Sequence, residues 1–432
     1  MVFKDISGLI TSWEKGYGYD PSLIIGIAWN SASSSPTLAY IDKDGNTIPT
    51  PSEIWFNSHP IFGKIWRCCL TAAGVPTFGS NARGDGLTLT ADYIMTQFPL
   101  HYLKWDMIGT VKKWWISPFP WDGFVPVFSA NQRGHASSPA NAIYVGSYMA
   151  GANGGTTVAN GSYNTIKATS WTGLKLTSKS GNLALTGDDA GTSGTIAHFE
   201  AAANLIGAGW GIVNIHTWAM IRLLTYIRLG TLNSQAAVGA GRSNSANTSA
   251  LTNGSVSSYE DIMGRSSGTT DLLGVSLFGL ENLWSNLWQF IIGYNSTDTA
   301  HNIVKRDGTG TLAGTLTSGN YDAVTSPLPL NGVNNISGTD SGAYCQGYVS
   351  AVGHDSAGLL DHLMIPSALA ASETTGFCDF DWSHQSGIGQ IGVLLAGGGW
   401  SSAGYAGVGC LGSNCAVSYA DPALGARLEF IG

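Results

Sequence analysis

Charge is scarce in this chain. Lys and Arg total 20 and Asp and Glu 28 among 432 residues, so charged side chains make up 11% of the sequence, under half the ~25% usual for soluble domains. That excludes a coiled coil, whose flanks need Glu, Lys and Arg. The balance of −8 leaves no basic footprint for nucleic acid. Long apolar runs are missing too. The nearest, Ala201–Ile221, is interrupted by Asn204, Asn214, His216 and Thr217 and reads as a buried helix rather than a membrane span. The first residues, MVFKDISGLITSWEKG, carry Asp5 and Glu14 where a secretory signal needs an apolar core. Cysteines number six. Cys68 and Cys69 are adjacent, and only Cys410 and Cys415 have local spacing, as two free thiols or as a loop-closing disulfide. No phosphate-binding Gly-Lys loop, GxSxG elbow, HExxH or CxxC is present.

Small polar residues and aromatics fill the space. There are 58 glycines, 15 tryptophans, 16 tyrosines and 14 phenylalanines. Such a chain buries a core and makes many turns. Residues 1–108 read as a small β-rich domain: an apolar run over Ser22–Asn30, a strand leading into an Asp44-Gly45 hairpin turn, and a further strand over Leu87–Met95. Residues 109–432 form the second unit. Its stretches 150–200, 231–272 and 296–345 are rich in Gly, Ser, Thr and Asn and read as surface insertions. Apolar spacing predicts a helix over Ile215–Leu229, with Arg222, Thr225 and Arg228 as a narrow wet stripe, Asn214 or Thr217 as cap and Gly230 as stop. One helical region among short strands and long loops gives an expectation of an α+β fold.

Few residues look chemical. Gly353–Gly358 sets His354, Asp355 and Ser356 side by side, and triad members must come from separate positions to face one another. Asp379 and Asp381 read as outward acids of a strand, with calcium binding the weaker alternative. Trp284 and Trp288, four apart, would share one face of a helical turn and pack in the core, with a ligand-stacking surface as the weaker alternative.

The segment FGLENLWSNLWQFIIGYN (Phe278–Asn295) resembles a signature of C-type-lectin-like domains in phage tail-fibre proteins and in the variable proteins of diversity-generating retroelements. The formylglycine-generating oxidases share that fold. WWISPFPWDGFVPVF (Trp114–Phe128), YVGSYMA (Tyr144–Ala150), Gly209–Arg242 and the close GGGWSSAGYAGVGCLGSNCAVSYADPALGARLEFIG (Gly397–Gly432) resemble further pieces in the family's order. Ile24–Ile41, Ile61–Leu70 and Asp92–Trp105 resemble the region that precedes the domain. There are departures. Ser285 stands where the family has Gly, and Ile292 where it has Asp. The Glu-Pro-Asn and Gln-Pro-Asp sugar-binding triplets are absent. Ser401 and Ser402 hold the place of the oxidases' first cysteine.

The resemblance implies a C-type-lectin-like α+β domain with long loop insertions. It implies a virion tail or fibre protein, otherwise an extracellular or cell-surface one, with a ligand-binding and in some members hypervariable surface. The alternatives are an oxidase of the formylglycine-generating type and a prokaryotic surface adhesin. The family's variable surface falls between the GG.W strand and the last strand. That puts ligand contact on Ser401, Ser402, Tyr405, Cys410, Leu411, Ser413, Asn414, Cys415 and Tyr419, with Trp382 and His384 at the rim. Expected partners are a host-surface protein or glycan, other virion tail proteins, and further copies of the chain in a trimer. No nucleic acid, membrane insertion, catalytic residue, metal or cofactor is expected.

Overall fold

The computed structural model describes residues 19–127, 142–256, 265–266, 273–297, 300–305, 321–325, 328, 346–355, 358–382 and 391–432. Sheet dominates: strands hold 37% of the described residues and helices 14%. The sheets include a curled half-barrel and several small ones, and the layout is not the α+β arrangement of C-type-lectin-like domains. The expected fold class is therefore corrected. Two local causes stand out. The Gly- and Thr-rich stretch 150–200 was expected as surface insertion, but it forms short strands such as Ile166–Ser170 and Lys175–Thr177, and Leu174, Leu176, Leu185 and Phe199 from it join the main core. The run Ala201–Ile221 is not one helix. The helix Ile196–Asn204 closes at Leu205, the chain turns through Gly209 at φ +83°, and a strand over Trp210–Ile212 follows.

Three larger sheets carry the frame. A five-stranded antiparallel sheet has the order Ala39–Ile41, Ile25–Asn30, Val111–Ser117, Tyr102–Ile108, Val125–Pro126. The hairpin turn beside it is where the sequence placed it, with Asp42 and Asn46 bonded across Gly45 at φ +85°. The strand expected over Leu87–Met95 instead runs from Ile94 to Pro99. It lies within a six-stranded sheet ordered Trp210–Ile212, Leu428–Ile431, Ala142–Gly146, Ile94–Pro99, Trp66–Leu70, Pro76–Phe78. The first and last strands of that order come from distant parts of the chain, and the C-terminal strand lies beside Ala142–Gly146. The third sheet is eight-stranded. Its centre runs Trp288–Ser296, Gly392–Ala396, Leu411–Ala416, Phe380–Trp382, Gln346–Tyr348, and Leu424–Gly425 pairs with Trp288 and Gln289.

The helix Ile215–Leu229 has the bounds that the sequence predicts. The Asn214 side chain accepts from the N–H groups of His216 and Thr217, and Gly230 closes the helix in the left-handed conformation at φ +66°. The expected wet stripe is nearly dry: Arg222 and Thr225 are buried, and only Arg228 reaches solvent, paired with Glu53. Packing between sheets on both sides overrides the polar spacing.

Candidate functional site

The segments that resemble the family signature are tied together by one buried side chain. Arg427 has no exposed surface. Its Nε donates to Gln289 Oε1 at 3.0 Å, Nη1 to the Gly146 carbonyl at 2.7 Å, and Nη2 to the carbonyls of Glu281 and Asn282 at 2.7 and 3.2 Å. Burial lowers its pKa to about 10, with Glu281 opposing. Glu281 accepts from the backbone N–H groups of Gly254 and Val256. The GARL and LENLW segments are thus a structural clamp.

Within that clamp the expected helical turn at Trp284 and Trp288 does not form. Asn282, Ser285 and Asn286 take positive φ of 51°, 62° and 61°, and a strand begins at Trp288. Glycine is the residue that takes such a φ at least cost, so Ser285, standing where the family has Gly, sits where Gly suits best. The two tryptophans diverge as a result. Trp284 is fully buried with its Nε1–H on the Gly239 carbonyl. Trp288 is half-buried and lines an open cleft.

That cleft has a volume of about 380 Å³. Trp382, Ser401, Ser402, Tyr405, Asn414, Cys415 and Tyr419 from the sequence reading line it, together with Trp288, Leu395, Gly412, Asp421, Ala423 and Leu424. The sequence reading placed Trp288 in the core, with a ligand-stacking surface as the weaker alternative, and missed Asp421. Two readings of strand Leu411–Ala416 are corrected. Leu411 and Ser413 are buried on the opposite face beside Tyr294 and Asp381, and Cys410 is buried. Alternation along the strand explains this. A bulge modifies it: Val393 pairs with Cys415 but Leu395 with Gly412, so Leu394 alone stands opposite Ser413 and Asn414. Asn414 and Cys415 therefore both reach the cleft. His384 lies outside the described residues.

Aromatic rings make the cleft's wall. Trp288 meets Trp382 edge to face at 5.3 Å between centroids, Trp382 meets Tyr405 at 5.6 Å in the same manner, and Phe380 lies behind both at 4.3 and 4.5 Å. Tyr405 and Tyr419 are 43% and 42% exposed, so each presents a ring to solvent. The backbone behind them is fixed. Ser402 Oγ accepts from Gly399 N at 2.8 Å, Asn247 Nδ2 donates to the Trp400 carbonyl at 3.0 Å, and Gln235 Nε2 binds the carbonyls of Ala403 and Ala406. Trp400 stacks on Tyr163. Asp421 holds the far side through its own backbone contacts, accepting from Ala423 N at 2.8 Å. The loop is anchored largely through its main chain, while Ser401, Tyr405 and Tyr419 keep surface open to solvent.

The buried acids lie beneath. Asp379 and Asp381 were expected to face outward, but both are buried. Asp379 Oδ2 accepts from Gly409 N at 3.0 Å and from the Tyr226 hydroxyl at 3.2 Å. Burial pushes its pKa up to about 7, opposed by the Arg222 charge and these bonds. Cys410, Cys415 and Cys378 are free thiols. Burial raises each, Cys415 to about 12 with Asp421 adding, and Cys410 beside the two acids. Neutral buried thiols are poor nucleophiles. His354 bonds to Asp361 at 2.9 Å rather than to its neighbour Asp355, and Asp361 pairs with buried Lys112 at 2.6 Å. Among the described residues no group of three His, Cys, Asp or Glu is placed to hold a metal, and no helix is long and apolar enough to cross a membrane.

No protein family matches this chain, and no curated protein does. Among solved structures it is similar to the Major Tropism Determinant U1 Variant, at 13% identity over 92% of this chain and 82% of that one, with a TM-score of 0.30. Likeness at that level carries no residue from one chain to the other.

Proposed function

We propose that this chain is a receptor-binding protein of the tail-fibre type and that the cleft between Trp288 and Tyr419 is its ligand site. The observation that supports this reading is the division of labour at the cleft. The backbone of residues 397–407 is held by Asn247, Gln235 and the Ser402 hydroxyl, while Ser401, Tyr405 and Tyr419 stand exposed. Tyrosine supplies contact area at low entropy cost, and Ser, Gly and Asn supply adaptable hydrogen bonds, the composition of binding loops that must suit changing partners. Such positions accept replacement without loss of the frame, which is what a retroelement-diversified surface requires. The ordered sequence segments that resemble viral tail-fibre proteins give the reading its biological setting: a virion tail, companion tail proteins, and a receptor on a host surface. No catalytic role is assigned to the cleft, whose thiol is held neutral.

The test is a combined replacement of Ser401, Tyr405, Asn414 and Tyr419 by Ala, measured for melting temperature and for adsorption of the purified chain to a panel of prokaryotic cells. Preserved melting with adsorption lost supports the proposal. Adsorption that survives the replacement places the binding surface elsewhere, and collapsed melting makes these residues part of the frame.

A further inference from the structure

We propose that the ligand is a neutral oligosaccharide and that it extends across the Ser402–Tyr405 turn into a second hollow on the turn's other side. The inference rests on the receptor-binding reading and adds a ligand class and a second subsite to it.

The second hollow has a volume of about 390 Å³ and is lined by Asn233, Gln235, Ala236, Glu373, Thr374 and Gly404, among others. Ser402 and Tyr405 face the first cleft and Gly404 the second, so one short turn is the ridge between them. The ridge is low and stiff. A Cβ at Gly404 would collide with Glu373 Oε2, and Gln235 Nε2 holds the turn by the carbonyls of Ala403 and Ala406. Each hollow falls within the ~300–1,000 Å³ of small-ligand sites, and only the Ser402–Tyr405 turn stands between their linings.

The chemistry of the lining narrows the ligand. Neither hollow is lined by Lys or Arg among the described residues, which disfavours an anion. Each has a single carboxylate, Asp421 and Glu373. The Asp421 carboxylate is engaged with its own turn, which is a poor seat for a cation. A purely apolar ligand would strip water from Ser401, Asn414 and Asp421 without replacing their hydrogen bonds. What fits is a neutral molecule with many hydroxyls and a face of C–H groups. Its C–H face lies on the electron-rich faces of Tyr405 and Tyr419, and its hydroxyls pair with serine, amide and carboxylate groups that accept and donate in turn. A sugar ring has both surfaces, and a chain of such rings has the length to span two hollows.

The experiment uses the full chain and neutral oligosaccharides of glucose, mannose, galactose and N-acetylglucosamine, one to six units long, with acidic oligosaccharides as controls, in titration calorimetry. The expected result is binding to at least one neutral series, tightening about tenfold from two units to four as the second hollow fills, about 1.4 kcal/mol. Tyr405→Ala, or Tyr419→Ser should the first variant not fold, weakens all lengths. Ala236→Trp, at an exposed wall of the second hollow, removes the gain from added length and leaves the two-unit affinity unchanged. Affinity independent of length, or indifferent to Ala236→Trp, overturns the second subsite. Binding only to acidic oligosaccharides, or to none while cells still adsorb the chain through the cleft residues, overturns the ligand class and leaves the receptor-binding reading standing. Adsorption indifferent to the cleft residues removes that reading itself.

Discussion

The clamp around Arg427 and the cleft loop at 397–421 lie next to each other in sequence and are built on opposite principles. In the clamp, side chains hold backbone: one guanidinium satisfies carbonyls from Gly146, Glu281 and Asn282, and nothing there reaches solvent. In the cleft, backbone is held from behind and side chains are released. Identity matters in the first case because a buried carbonyl without a donor costs about 1–3 kcal/mol. In the second it matters little to folding, because an exposed ring or hydroxyl leaves no unmet bond when it changes. A surface free to vary needs a neighbour that cannot.

The sharpest way to break this contrast is at Arg427. Replacing it with Leu should cost at least about 3–5 kcal/mol, since several buried acceptors lose their donor at once. That is a large share of a domain's stability, and denaturant unfolding would show it; a loss under about 1 kcal/mol would remove the clamp from this account.

The tryptophan pair gives the next test. Trp284→Ala should cost about 3–5 kcal/mol as a fully buried ring. Trp288→Ala should cost less than half as much, because one side of that ring already faces the cleft. Equal costs would mean that the cleft is closed in solution.

The N-terminal frame and the acid beneath the cleft should respond to pH with opposite sign. In the N-terminal frame, burial lowers His59 and His101 to about 4. Both are neutral in the fold, so the unfolded chain binds more protons below its ordinary pKa of 6.5, and stability falls as pH drops from 6.5 towards 4. His101, wholly buried, should account for about 3 kcal/mol of that loss. Beneath the cleft, Asp379 is raised to about 7. It keeps its proton in the fold while the unfolded chain releases one, so its contribution falls as pH rises from 3.8 to 7. Stability measured against pH for His101→Gln and Asp379→Asn should flatten the acid side and the neutral side respectively. A variant that leaves its own side unchanged refutes the assignment.

The smallest effect belongs to the cleft. Ser401→Ala should change stability by no more than about 0.5 kcal/mol, read as a melting temperature close to that of the parent chain.

Local pattern reached some of this and stopped at definable places. The helix Ile215–Leu229 was legible to the residue, because its apolar spacing, Asn214 and Gly230 are all local signals. The Asp44-Gly45 turn was legible for the same reason. The helical turn expected at Trp284 and Trp288 was not there, since helical spacing of apolar residues is also met by a buried turn whose every side is covered. The α+β class failed with it, and with the Thr- and Gly-rich strands of 150–200 that composition alone reads as loop. Trp382, Ser401, Ser402, Tyr405, Asn414, Cys415 and Tyr419, assigned to ligand contact by the resemblance, come together in one cleft, and their binding role is the proposal. The exceptions, Cys410, Leu411 and Ser413, follow from strand alternation and burial, and the joint reach of Asn414 and Cys415 follows from the bulge opposite Val393 and Leu395.

By itself the sequence determined what depends on neighbours along the chain: a scarcely charged, aromatic protein of many turns, one capped helix, and a C-terminal stretch of small polar residues and tyrosines. The tertiary structure alone decided what depends on distant pairing. It set Asp421 and Trp288 at the cleft, buried Asp379 under it, and brought Glu373 to the far side of the Tyr405 turn. Each of these positions is fixed by a strand register or a long-range hydrogen bond, and register is a property of two segments that neither carries alone.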